Sequence, residues 1–208
     1  MFRSLFNPDN ALMVTMAQIT DCIFLSLFWL LGCFPVVTAG ASFAALYDSV
    51  YHGFRKRDKH SWQRFLHTFK ANCIGGIVPT ILFLLLSVLL LKGLIALWNA
   101  AVYARISWML FSAGAIAGVL MLGILSVLFP MLSRFENPLG RLLKNTLFLG
   151  LANLPRTLAL GLLNTAALLL CLIYVLPLFF LPSLAALIGS LFIEPMFKPY
   201  MPAETTEE

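Results

Sequence analysis

Four stretches of this chain carry no Asp, Glu, Lys or Arg: residues 22–47, 71–91, 106–133 and 157–193. No other feature restricts the fold as tightly. An α-helix rising 1.5 Å per residue crosses about 30 Å of hydrocarbon in about 20 residues, and a charge at the bilayer centre is costly. Each run is therefore long enough to span. The last is nearly twice that length and is predicted to reverse where Pro177 and Pro182 bracket Leu178–Leu181. Of the 208 residues, 61% are hydrophobic and 11% charged, less than half the charge of a soluble domain. The chain reads as an all-α, polytopic transmembrane helical bundle in one domain, 1–198, followed by a disordered acidic tail, 199–208.

Six membrane helices are expected, over 11–34, 38–53, 71–91, 106–131, 156–176 and 183–195. Pro35 ends the first because it cannot continue the hydrogen-bond ladder, and Gly40 loosens the backbone again. In the second helix, small residues recur every fourth position: Gly40, Ala44 and Asp48 on one stripe, Ala41, Ala45 and Ser49 on the next. Such faces let helices approach closely, so this helix is expected inside the bundle. Gly114 and Gly118 offer a similar packing face in the fourth. Two amphipathic helices accompany the spans. In Ser61–Lys70, the apolar residues Trp62, Phe65, Leu66 and Phe69 fall at helical spacing, with Arg64, His67 and Lys70 elsewhere on the wheel. Leu139–Leu154 carries Arg141 and Lys144. A short echo links the two, Arg64-Phe65-Leu66…Pro79-Thr80 with Arg141-Leu142-Leu143…Pro155-Arg156-Thr157, and suggests repeated helical hairpins.

Charge sorting orients the chain. With both termini cytoplasmic, 12 of the 14 Lys and Arg residues fall on the cytoplasmic side, leaving only Lys92 and Arg105 outside, as the positive-inside rule requires. A five-span alternative makes 38–53 re-entrant and satisfies the count almost as well. The net charge of +5 then needs no nucleic acid. It marks cytoplasmic loops and an attraction to anionic lipid headgroups, with the bilayer itself as the main partner.

Ionisable groups inside a membrane default to a functional reading. Three acids qualify: Asp21, Asp48 and Glu194. Structural pairing with Arg55, Arg134 or Lys198 is the plainer account, and Asp48, on the small-residue stripe, is the best functional candidate. The cysteines have no metal-ligand spacing, and the histidines have basic neighbours in sequence. No P-loop, HExxH, G-x-S-x-G or paired carboxylates occur. No catalytic residue, cofactor or metal is expected.

Pro35-Val36-Val37-Thr38-Ala39-Gly40-Ala41, followed by Ala45-Leu46-Tyr47, resembles the signature of the YesL family of bacterial membrane proteins. Phe65, Phe69, Lys70 and Asn72 match a later F-x-x-x-F-K-x-N element, and Leu154-Pro155-Arg156-Thr157 matches an L-P-R-T. The resemblance runs from about residue 5 to 200. It implies a multi-pass protein of the bacterial cytoplasmic membrane, associated with carbohydrate uptake, whose biochemical activity is unassigned. The expected role is therefore a non-enzymatic accessory or regulatory partner of a carbohydrate ABC uptake system. It would contact permease subunits or lipid through Trp62, Arg64, Phe65, Phe69, Lys70, Arg141 and Lys144. The rival is a stand-alone small-solute transporter or channel with Asp48 near the path.

Overall fold

A computed structural model describes residues 11–56, 60–103, 108–135 and 138–200. The expected helix cap at Asp9 or Asn10 and the acidic tail beyond Tyr200 lie outside the described residues. Eight α-helices follow one another: α1 (Ala11–Cys33), α2 (Ala39–Val50), α3 (Ser61–Asn72), α4 (Ile77–Tyr103), α5 (Trp108–Arg134), α6 (Leu139–Ala152), α7 (Leu154–Ile173) and α8 (Leu181–Phe197). Among the described residues there is no strand.

Among the described residues four segments are long and apolar enough to cross a membrane: Ile77–Val102, Trp108–Arg134, Leu154–Ile173 and Leu181–Tyr200. A shorter apolar stretch, Gln18–Cys33, lies in α1. The count of about six is not confirmed: α1, at 23 residues, is long enough to cross, whereas α2 is not. With 12 residues, α2 is about 18 Å long and cannot cross a hydrocarbon layer of about 30 Å alone.

Two boundaries also differ from expectation. Helix α4 begins at Ile77 because Gly75-Gly76 loosens the chain before it. This puts Pro79 in the first turn, where a missing N–H costs nothing. Pro155 and Pro182 sit the same way in α7 and α8. The expected connector after Lys92 is helix as far as Tyr103, since one lysine among good helix formers does not stop a helix.

Helix α2 is the inner element. Every residue from Gly40 to Val50 except Phe43 is buried, so both small-residue stripes meet neighbours as expected. Leu25 of α1, Ala45, Leu46 and Val50 of α2 and Phe65 of α3 form one apolar cluster. Tyr47 belongs to a second, with Val127, Leu128 and Met131 of α5, Leu142 of α6 and Phe197 of α8. Phe43 stacks on Phe129 at 5.3 Å between ring centroids and meets Trp29 edge-on.

Glycines set the close crossings. A Cβ on Gly123 would collide with the Thr157 carbonyl, and one on Gly161 with the Val119 carbonyl, so α5 and α7 touch backbone to backbone. A Cβ on Gly114 would meet Leu97, which assigns the Gly114/Gly118 face to α4. A Cβ on Gly40 would strike the Thr80 hydroxyl, to which the Gly40 N–H donates at 3.0 Å.

The echo in the sequence has a structural counterpart. A helix, an amphipathic helix and a proline-started helix follow one another in α2–α3–α4 and again in α5–α6–α7. In both units a glycine of the first helix, Gly40 or Gly123, abuts a threonine in the first turn of the third, Thr80 or Thr157.

Candidate functional site: a buried ion-pair network

The reversal Phe34–Thr38 positions everything after it. Pro35 stops α1, and Thr38 closes its end. The Thr38 hydroxyl lies 2.7 Å from the Gly32 carbonyl, an acceptor the end of the helix leaves unpaired, and 2.9 Å from that of Pro35. Helix α2 then starts directly, and Gly40 seats it against α4. Ala45 is wholly buried, and Tyr47 and Asp48 are carried inward together. Of the signature Pro35, Thr38, Gly40, Ala45 and Tyr47, the first four set this geometry and the last belongs to the site.

Asp48 is 5% exposed. Its Oδ2 accepts hydrogen bonds from Arg64 Nε at 2.8 Å and Thr68 Oγ1 at 2.9 Å, both on α3. His52 Nδ1 lies 3.1 Å from Asp48 Oδ1 and 2.9 Å from the Asp48 carbonyl. Both are acceptors, which places a proton on that nitrogen. Burial pushes the Asp48 carboxyl up. The hydrogen bonds from His52, Arg64 and Thr68 and the charge of Arg64 outweigh burial and hold it at about 2.

The next residue back in sequence begins a second pair. The Tyr47 hydroxyl donates to Glu194 Oε1 of α8 at 2.9 Å, and Arg134 of α5 donates to the same oxygen at 2.9 Å. Burial pushes the Tyr47 phenol up, and the adjacent Glu194 charge pushes it further, so the hydroxyl stays a donor. The Arg134 guanidinium lies 4.1 Å from the centroid of the Tyr51 ring, a cation–π distance. Tyr51 stacks in turn on Tyr47 and meets His52 edge-on. Tyr51 and His52 open a π-helical turn, Tyr51–Arg55. The extra residue in such a turn re-aims side chains and recurs at functional sites.

Two carboxylates and two guanidiniums thus join α2, α3, α5 and α8 in one charge-matched network. It gathers Asp48 and Glu194 but not Asp21, which is half-buried on α1 and has no ion-pair partner among the described residues. Of the bases expected to pair with the acids, Arg134 does so. Arg64, expected on a partner or lipid surface, points inward at Asp48. Phe65 from the same expected surface is 2% exposed and stacks with Phe28 and Phe69. Trp62 is 49% exposed, and Lys70, Arg141 and Lys144 are exposed as well. The buried face of α3 is Ser61, Phe65 and Thr68, one position around the wheel from the aromatic stripe.

Residues 22–94 match the model of DUF624, a protein family of unknown function. The matched stretch contains the reversal, all of α2 and α3, and the Asp48–Arg64–Thr68 cluster; Arg134 and Glu194 lie beyond it. Neither a curated protein nor a solved structure matches the chain.

Two cavities are described, and both lie apart from the two acids. A groove of about 240 Å³ lies between α4 and α5, and a cavity of about 90 Å³ is lined by Met131, Phe135, Phe148 and Phe197 among others; neither includes Asp48 or Glu194. Among the described residues no three His, Cys, Asp or Glu side chains are grouped to hold a metal ion. What the described geometry does show is charge pairs that tie the amphipathic helix α3 to α2 and join α5 to α8.

Proposed function

We propose that this is a YesL-like protein of the bacterial cytoplasmic membrane. On this reading it is non-enzymatic and serves a carbohydrate ABC uptake system as an accessory or regulatory partner. Helix α3 is the coupling element. Its outward face, Trp62 and Lys70 with His67, meets the permease at the cytoplasmic side. Its inward face, Arg64 and Thr68, holds α2 through Asp48. Helix α6 adds Arg141 and Lys144 to the same surface.

One observation supports this reading over transport: each of the two buried acids is paired with a guanidinium, Asp48 with Arg64 and Glu194 with Arg134. A substrate or proton path needs an acid that faces an opening. A coupling device needs rigid pairs that transmit the position of a surface helix to the bundle, and buried ion pairs suit that role.

Affinity purification from native membranes tests it. The wild-type chain should recover permease subunits, and Trp62→Ala combined with Lys70→Glu should lose them without loss of the fold. Recovery of the intact chain alone refutes the proposal. Solute flux by the purified chain in vesicles, abolished in Asp48→Asn, replaces it with a transporter.

A further inference from the structure

Helix α4 has a face that none of this uses. It lies against α5 and leaves a broad apolar surface outward: Leu85, Leu89 and Leu91 are each more than half exposed. Between the two helices runs the groove of about 240 Å³, lined by Leu90, Gly93, Leu94, Leu97, Gly114 and Gly118 among others, with no charged side chain in its walls. The glycines of α5 are covered, since a Cβ on Gly114 meets Leu97 and one on Gly118 meets Leu90 and Leu94. At Gly93 a Cβ would meet nothing within 4 Å. The open space is there.

Lys92 adjoins it. It is the only charged residue between Ile77 and Tyr103, it is exposed, and no acid among the described residues pairs with it. A lysine within an apolar span reaches toward the headgroups by extending its stem. Trp98 marks where the interface lies. It packs edge-on against Trp108 and Phe111, and such aromatics settle at headgroup level. Lys92 is six residues from Trp98 along the helix, about 9 Å.

We propose that the α4–α5 groove binds one acyl chain of an anionic phospholipid, with Lys92 as the counter-charge to its headgroup. The chemistry agrees: an apolar groove, an unpaired cation next in sequence to its Gly93, and an aromatic cluster farther along α4. A transmembrane helix of a second copy is the other occupant of comparable shape, but it would set apolar side chains against an uncompensated lysine.

Native mass spectrometry of the full chain, released from micelles doped with phosphatidylglycerol or phosphatidylcholine, tests this. One phosphatidylglycerol per chain should survive, in preference to phosphatidylcholine. Lys92→Gln should cut that preference about fivefold, the factor expected for one basic side chain at an anionic surface. Gly93→Leu, whose side chain enters open space and leaves the fold intact, should abolish retention of either lipid. Retention unchanged in Gly93→Leu overturns the groove as the site. A preference unchanged in Lys92→Gln overturns the role of the lysine. A two-copy species without lipid, dispersed by Gly93→Leu, overturns the lipid in favour of a dimer.

Discussion

Replacing Asp48 by Asn probes the network most directly. The folded carboxyl is held at about 2 against an ordinary 3.8. At about 1.4 kcal/mol for each tenfold difference in proton affinity, ionised Asp48 contributes about 2 kcal/mol above pH 4. The sign follows from the depressed value: the stabilisation is complete above the unfolded pKa and is lost as pH falls through about 2. Cutting one partner from a fully buried pair costs about 3–5 kcal/mol. Arg64 is about one-third exposed and can turn to water when abandoned, so the smaller figure applies. Asp48→Asn should therefore lose about 2 kcal/mol at pH 7, or about 4–8 °C in melting temperature for a chain of this size. Circular dichroism melts in detergent between pH 7 and 2 measure both. Wild type should lose stability across pH 4 to 2, and the variant should lose less over that window. Equal melting temperatures at pH 7, or identical pH profiles, refute the account of Asp48.

The second pair gives a graded series. Tyr47→Phe removes one of two hydrogen bonds to Glu194 and should cost about 1 kcal/mol, whereas Arg134→Met strands a buried carboxylate and should cost about 3 kcal/mol; chemical denaturation in micelles ranks them, and the reverse order would contradict the geometry. Gly123→Val drives a side chain into the Thr157 carbonyl, which neither helix can yield easily. In a cysteine-free background, Ser126→Cys and Asn164→Cys, whose native side chains hydrogen-bond at 2.9 Å, should cross-link readily, and Gly123→Val should suppress it. Thr38→Val removes the cap on α1 and should cost about 1 kcal/mol, read from the same denaturation curves.

The uncharged runs were enough to reveal the long apolar helices, though not the ends of α4, and the small-residue stripes were enough to bury α2. Both signals are local: hydropathy decides whether a segment meets lipid, and spacing decides which face is narrow. The network was only half legible. Asp48 and Glu194 stood out as acids in apolar surroundings, but their partners are set by packing. Arg64 lies on α3 among polar residues, where a helical wheel alone assigns it to solvent. What turns it inward is the antiparallel return of α3 along α2, which sets residues 64 and 68 opposite residue 48. The sequence did carry one usable hint, since an acid on a small-residue stripe must find a cation on the helix that stripe touches. Tyr47 was visible only as part of a signature. Its bond to Glu194 closes over 147 residues of chain, a distance no local pattern encodes.

The repeated three-helix arrangement explains why the acid sits in one unit and not the other. Thr68 of α3 donates to Asp48 of α2; in the second unit Thr146 of α6 approaches the Met131 sulfur of α5 at 3.5 Å. The threonine's partner is a carboxylate in one unit and a thioether in the other. A short inner helix has little lipid-facing surface to anchor it, and its partner α3 is the more polar of the two amphipathic helices, so that joint is fastened by charge. Helix α5 is a long apolar span already held by backbone contact with α7 at Gly123 and Gly161, and a soft apolar filler suffices beside it. The second charge pair, Arg134 with Glu194, then stands where the two units meet, with Tyr47 of one and Arg134 of the other sharing a single oxygen. Loss of that shared contact should loosen the units from each other before either comes apart, so hydrogen exchange in Glu194→Gln should rise first in α2 and at the C-terminal end of α5, while the Gly123–Gly161 crossing stays protected. Uniform loss of protection across all helices would mean that the units are not separable.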